Sequence, residues 1–141
     1  VQNNSHDNAL NELKMIIKRL IIVNYSNDID TNLPFKEQLI KLAFLYRERL
    51  ISLVVNWIRV GYCQGNFNSD NCALGGYTLD YGPFGFCELF DPNFQPWTGG
   101  GNHFSFFNQP EAAENNFNMF IKSLKILLEN KEDFLERLDH I

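Results

Sequence analysis

The sequence predicts a mainly α-helical α+β fold with one small β-hairpin, and three observations lead there. Two stretches before residue 61 and one after residue 108 repeat apolar residues every three or four positions, the period of a helix with one buried face. Between them lies a segment rich in Gly, Asn, Asp and Pro, which can hold only short strands. A length of 141 residues matches one ordinary domain, able to bury roughly two thirds of its unfolded surface.

Taken in order, Leu10, Leu13, Ile16, Ile17, Leu20 and Ile21 fall on one face of a first helix ending near residue 24, with Lys14, Lys18 and Arg19 on the other. A polar break over residues 26–32 precedes Pro34, which suits the first position of a second helix because its missing amide hydrogen is unused there. That helix, or a bent pair, runs to Val60, and Gly61 ends it. Residues 64–71 form a loop of turn-favouring side chains. The hairpin is expected next, with strands at residues 72–74 and 77–79 joined by Gly75 and Gly76, and Asp80 just past the second strand. Residues 81–107 are irregular except in short pieces; Asn108 and Pro110 announce a helix carrying Phe117, Phe120, Ile121, Leu124, Leu127 and Leu128, and a short helix follows over 132–140. The chain thus divides into a helical region (5–60), a loop, hairpin and metal-binding segment (61–107) and terminal helices (108–141).

Composition narrows the function classes. With 45% hydrophobic residues and 13 Phe the chain has ample core material and is not of the disordered class. A formal net charge of -5 argues against nucleic-acid binding, whose affinity comes from Lys and Arg on phosphates. Cys63, Cys72 and Cys87 are odd in number and form no CxxC pair, so neither a disulfide framework nor a zinc ribbon is implied, and a reducing, intracellular compartment is expected. The longest apolar stretch, residues 50–60, is interrupted by Ser52, Asn56 and Arg59 and is shorter than the roughly 20 residues that span a bilayer, so no membrane association is expected. A polar start without Met suggests a piece of a longer protein.

The chemistry concentrates in residues 64–86. Asp70 and Asn71 sit in a turn, and a tight hairpin would bring Asp80 back beside Asn71, within reach of a shared cation. Magnesium prefers such hard oxygen ligands and takes its remaining contacts from water and phosphates. An aspartate and asparagine in a loop, followed by an aspartate next to glycine, resemble the order in kinases. Protein kinases, however, separate the pair (HRDxxxxN), whereas Asp70 and Asn71 are adjacent. Simpler readings exist for each residue. Asp70 and Asn71 alone would be turn formers, and an EF-hand reading of Asn66, Asn68 and Asp70 fails because Asn71 and Tyr77 stand where glycine and glutamate are required. Gly99, Gly100 and Gly101 lack the Lys-Ser/Thr of a phosphate loop. Trp57, Phe84, Phe86, Phe90 and Phe94 are expected to pack a core or an interface between subdomains, and the cysteines to be small buried groups. His6, His103 and His140 are too scattered for a metal site.

One family matches these residues together. Trp57, Val60, Gly61, Tyr62, Gly65, the run Asn68-Ser69-Asp70-Asn71, the run LDYGPFGF from Leu79 to Phe86, Asp91, Pro92, Asn93 and Phe106 to Pro110 resemble selenoprotein O, a pseudokinase family whose members transfer AMP from ATP to protein hydroxyls. The resemblance implies the C-lobe core of a protein-kinase-like fold, here an internal fragment. It makes Asp70 the catalytic base and Asn71 and Asp80 the ligands of magnesium, which manganese could replace. ATP would be a substrate, together with proteins bearing Ser, Thr or Tyr hydroxyls; the compartment would be mitochondrial in a eukaryote and cytoplasmic in a bacterium. Two positions depart: Gln64 stands where the family usually has His, and a glycine run with His103 replaces the family pattern between Trp97 and Phe104. The nucleotide-gripping lobe is not in this segment, so the fragment is expected to be inactive alone and prone to self-association. The rivals are a phosphoryl-transferring kinase and a noncatalytic scaffold.

Overall fold

The computed structural model describes residues 2–79, 82–128 and 131–141. Four helices are described: α1 (Gln2–Asn24), α2 (Phe35–Val60), α3 (Gln109–Leu127) and α4 (Glu132–Asp139). Two three-residue strands, β1 (Tyr62–Gln64) and β2 (Phe84–Phe86), pair antiparallel, with Tyr62 opposite Phe86, Cys63 opposite Gly85 and Gln64 opposite Phe84. The chain is thus mainly helical with one small sheet, as expected. It divides into two compact units, Val1–Leu45 with Phe120–Ile141, and Tyr46–Met119.

In the first unit the apolar stripes are buried along their centre: Ile17 and Ile21 on α1, Leu39, Leu42 and Ala43 on α2, and Leu124 and Leu127 at the end of α3 with Leu128 just beyond it, whereas Ile16, expected on the buried face of α1, is 60% exposed. The polar break between α1 and α2 is an ordered turn. Tyr25 accepts backbone bonds from Asp28 and Ile29, and the Gln38 side chain reaches back to the carbonyls of Thr31 and Leu33. The Pro34 carbonyl accepts the Gln38 amide at 3.1 Å, so proline caps α2 from the position before its first residue, and α2 is a single helix. Arg137 on α4 grips Glu37 with two bonds of 2.7 Å, and its guanidinium holds the Glu37 carboxyl below the usual range.

In the second unit, Tyr46, Leu50, Val54 and Trp57 form the buried stripe of α2. Gly61 then takes φ +74°, the left-handed conformation that ends a helix without strain when no Cβ is present. The expected hairpin over residues 72–79 does not form. A turn exists there, with the Gly76 amide bonded to the Ala73 carbonyl at 2.9 Å and Gly76 at φ +74°, but its flanks are not strands. Side chains of α2 take up this segment instead. Arg49 donates to the Gly75 carbonyl at 3.2 Å and Trp57 Nε1 to Thr78 Oγ1 at 2.8 Å. The glycine is needed for this packing as much as for the turn, since a Cβ on Gly76 would lie 2.5 Å from Arg49 Cβ. Strand pairing is made by residues farther apart in sequence, β1 with β2.

Candidate functional site

The site is built on one turn of 3-10 helix, Ser69–Asn71. Asn68 starts it in extended conformation; its Oδ1 accepts the Asp70 amide at 3.1 Å and its carbonyl accepts the Asn71 amide at 3.1 Å. Asparagine does this well because its short side chain reaches its own backbone two residues on. Three consecutive side chains are thereby sent to different surroundings. Asp70 is exposed, Asn71 is buried, and Ser69 Oγ donates to Asn116 Oδ1 of α3 at 3.0 Å.

Asn71 is held by its nitrogen, which donates to the Asn66 carbonyl at 2.9 Å. An amide fixed in that sense turns its oxygen to the other side, where it can act only as an acceptor or a ligand. A second amide oxygen in the same loop, Asn66 Oδ1, is buried with no hydrogen-bond partner among the described residues. Such an orphan is destabilising by about 1–3 kcal/mol unless a donor or cation meets it. The structure therefore places Asp70 and Asn71 on one turn as expected. Asp80, the third expected site residue, lies outside the described residues. Among the described residues no three His, Cys, Asp or Glu side chains gather as a metal cluster.

Two amides on α3 that sequence reasoning missed hold the loop in place. Gln109, fully buried, accepts the Gln64 amide on Oε1 at 2.9 Å and donates Nε2 to the carbonyls of Tyr62 at 3.0 Å and Phe106 at 3.1 Å, stitching β1 to α3. Asn116 accepts from Ser69 and donates to the Phe67 carbonyl at 2.9 Å, so it grips the loop on both sides of Asn68. Their signal in the sequence is position: Gln109, Ala112, Asn116 and Phe120 follow helical spacing on the buried face of α3, where a polar side chain needs a partner.

Gln64, standing where the resembling family has His, is buried, takes a short bond from the Tyr62 hydroxyl and faces the Leu79 carbonyl at 3.5 Å. Gly65 permits the closest backbone approach in the site. Its amide donates to the Pro83 carbonyl at 2.8 Å, and a Cβ there would sit 2.8 Å from that same oxygen. Trp57 is buried as expected, with its ring 4.9 Å from Phe67 and 5.2 Å from Tyr62. Phe84, Phe86 and Phe90, by contrast, are exposed at 47%, 57% and 71%, so they are not core of the described chain. For Phe84 and Phe86 the reason is the strand's alternation, which puts both on the outer face of β2, where they flank the Tyr62 ring; Phe90, beyond the strand, touches the rings of Phe106 and Phe107.

Cys63 and Cys72 are small buried groups, as expected, whereas Cys87 is only partly buried. All three are free thiols. Burial, with a smaller contribution from Cys87, pushes the Cys63 thiol up to about 12, and burial raises Cys72 against the opposing bond from Tyr46. Neither supplies a thiolate near neutral pH. No described helix is long and apolar enough to cross a membrane.

Comparison with known proteins agrees with the motif. The family model described as "Protein adenylyltransferase SelO" matches residues 4–140. A protein nucleotidyltransferase YdiU of Methylobacillus flagellatus is 31% identical across 92% of this chain, and that of Flavobacterium johnsoniae is 32% identical across 93%. That of Aromatoleum aromaticum is 37% identical over 65% of the chain. This chain spans 26%, 25% and 18% of the lengths of these relatives, in the same order. With the match running almost end to end, the chain belongs to the family of the protein adenylyltransferase SelO.

Proposed function

We propose that this chain is the part of a protein adenylyltransferase that carries its base and metal ligands, and that the intact parent transfers AMP from ATP to Ser, Thr or Tyr hydroxyls of proteins. The observation carrying the reading is the division of labour on the Ser69–Asn71 turn, with an exposed carboxylate beside a buried, oriented amide. Asp70, at the exposed position, can take the proton of an incoming hydroxyl, because an acceptor protein reaches it from solvent. Asn71, immobilised through its nitrogen, offers a hard oxygen that needs no reorganisation before it binds a cation.

The donor set fits magnesium better than a soft metal. It consists of carboxylate and amide oxygens, and the buried Asn66 Oδ1 adds an acceptor with no partner among the described residues to the same loop. Asn71 and Asp80 would hold the ion, or manganese in its place. When bound, it supplies positive charge against the phosphates of ATP. Asp70 then removes the proton from the attacking hydroxyl as the bond to the α-phosphorus forms and pyrophosphate leaves.

The kinase-like lobe that grips the nucleotide would come from the rest of the parent. The 141 residues alone are expected to bind magnesium-ATP weakly and to self-associate, since two oxygen ligands leave most of the ion's contacts to phosphates that nothing clamps. Incubating the intact parent with a protein acceptor and ATP labelled at the α or the γ phosphate tests the reading. Label from the α position entering protein is the expected result. Label from the γ position alone would establish phosphoryl transfer, and no label from either would favour a noncatalytic scaffold.

A further inference from the structure

Beside the candidate base is a cleft of about 240 Å³ whose occupant no part of the mechanism supplies. It is lined by Asn68 and Ser69 of the candidate turn, by Glu111 and Asn115 of α3, and by the rings of Phe67, His103 and Phe104. Whatever enters this cleft lies one residue along the chain from Asp70.

The polar groups of the cleft are not equally available. Ser69 Oγ and the Asn116 amide are engaged with each other and with the Phe67 carbonyl, so they hold the wall rather than greet a ligand. Glu111 is exposed, and among the described residues no ion pair or hydrogen bond engages its carboxylate. It sits in the first turn of α3, where a negative charge suits the helix dipole. A single carboxylate in a cleft also lined by aromatic rings complements a side chain with a long apolar stem and a cationic head. Acidic or short polar side chains lack one or both features. The chain's net charge of -5 also favours the approach of a basic segment.

We infer that this cleft is a subsite for a lysine or arginine of the acceptor polypeptide, seated there while a neighbouring hydroxyl meets Asp70. The inference rests on the adenylyl-transfer reading, and it specifies which acceptors that site prefers.

The test uses the intact parent and two fluorescent peptides that contain one serine and differ only in having Lys or Glu near it. Binding is measured by anisotropy, and AMP incorporation from α-labelled ATP is measured separately. The Lys peptide is expected to bind about 5-fold tighter than the Glu peptide, the upper end of what one exposed ion pair gives. Glu111→Gln is expected to erase most of that preference and Glu111→Lys to reverse it. Glu114→Gln, the same charge change on α3 outside the cleft, is expected to leave it intact. Equal affinities in the wild type, or a preference for Lys that survives Glu111→Lys, would overturn the subsite. A binding preference without AMP transfer to either peptide would support the subsite while overturning adenylyl transfer.

Discussion

Replacing Asn116 by alanine removes the bonds to Ser69 and Phe67 with which α3 grips the loop before Asp70, and its effect can be worked out from the structure. Asn116 is 7% exposed, accepts from Ser69 Oγ at 3.0 Å and donates to the Phe67 carbonyl at 2.9 Å. The Phe67 carbonyl belongs to a residue 1% exposed, so losing its donor leaves a buried acceptor unsatisfied, about 1–3 kcal/mol. The Ser69 hydroxyl is on an exposed residue and can turn to water, so its loss adds only about 0.5 kcal/mol. Alanine's better helix propensity returns about 0.5 kcal/mol. Asn116→Ala should therefore destabilise the protein by about 1–3 kcal/mol, measured by urea denaturation. Asn116→Asp is the sharper variant. It keeps the acceptor for Ser69 but sets a carboxylate oxygen against the Phe67 carbonyl, and should cost at least as much as alanine. A loss below about 0.5 kcal/mol for both variants would refute the claim that this amide holds the loop.

Two further predictions concern packing and pH. Gly65→Ala places a methyl 2.8 Å from the Pro83 carbonyl oxygen and 3.0 Å from Trp97 Cβ, so it should destabilise by about 1–3 kcal/mol and weaken the join between β1 and β2; an unchanged denaturation midpoint would remove Gly65 from that role. The Cys63 thiol gives a pH signature. Its ordinary value of 9.0 rises to about 12 in the fold, so between these values the unfolded state has lost a proton that the native state keeps. Stability is then unaffected below pH ~9 and falls above it, by at most about 1.4 kcal/mol per pH unit. Cys63→Ala should flatten that fall between pH 8 and 10.5, and curves of equal slope for wild type and variant would contradict it. In native buffer, alkylation mapped by mass spectrometry should reach Cys87, the one cysteine that is not buried, well before Cys63 or Cys72.

The helices were legible because each repeats its signal many times. Apolar residues recur at helical spacing through α1, with Ile17 and Ile21 buried and Ile16 left exposed at the edge of the stripe, and Gly61 and Pro110 mark ends by backbone constraints that do not depend on the rest of the fold. The strands were not legible. A three-residue strand shows too little alternation to be recognised, and Tyr62–Gln64 is buried at every position, so it has no polar face. Gly75 and Gly76 did signal a turn, but whether its flanks pair with each other or bond to α2 was decided by Arg49 and Trp57, more than twenty residues upstream. Within the candidate site, Asp70 and Asn71 stand out in the sequence because a turn with an adjacent carboxylate and amide is a recognisable residue pattern, and the structure places both on one turn. Gln109 and Asn116 were missed because amides on a helix are ordinary until their distant partners, Tyr62, Gln64, Phe67 and Ser69, are brought against them.

Separating the roles of Asp70 and Asp80 in the intact parent tests the central claim most directly. Magnesium-ATP binding by calorimetry and AMP transfer under single turnover would be measured on Asp70→Ala and Asp80→Ala. The account predicts that Asp70→Ala binds magnesium-ATP normally but transfers about 100- to 10,000-fold more slowly, as loss of a general base requires. It predicts that Asp80→Ala loses transfer altogether and binds the metal-nucleotide complex poorly, with the fold intact. Near-normal transfer by Asp70→Ala, or full metal-dependent binding and transfer by Asp80→Ala, would contradict it.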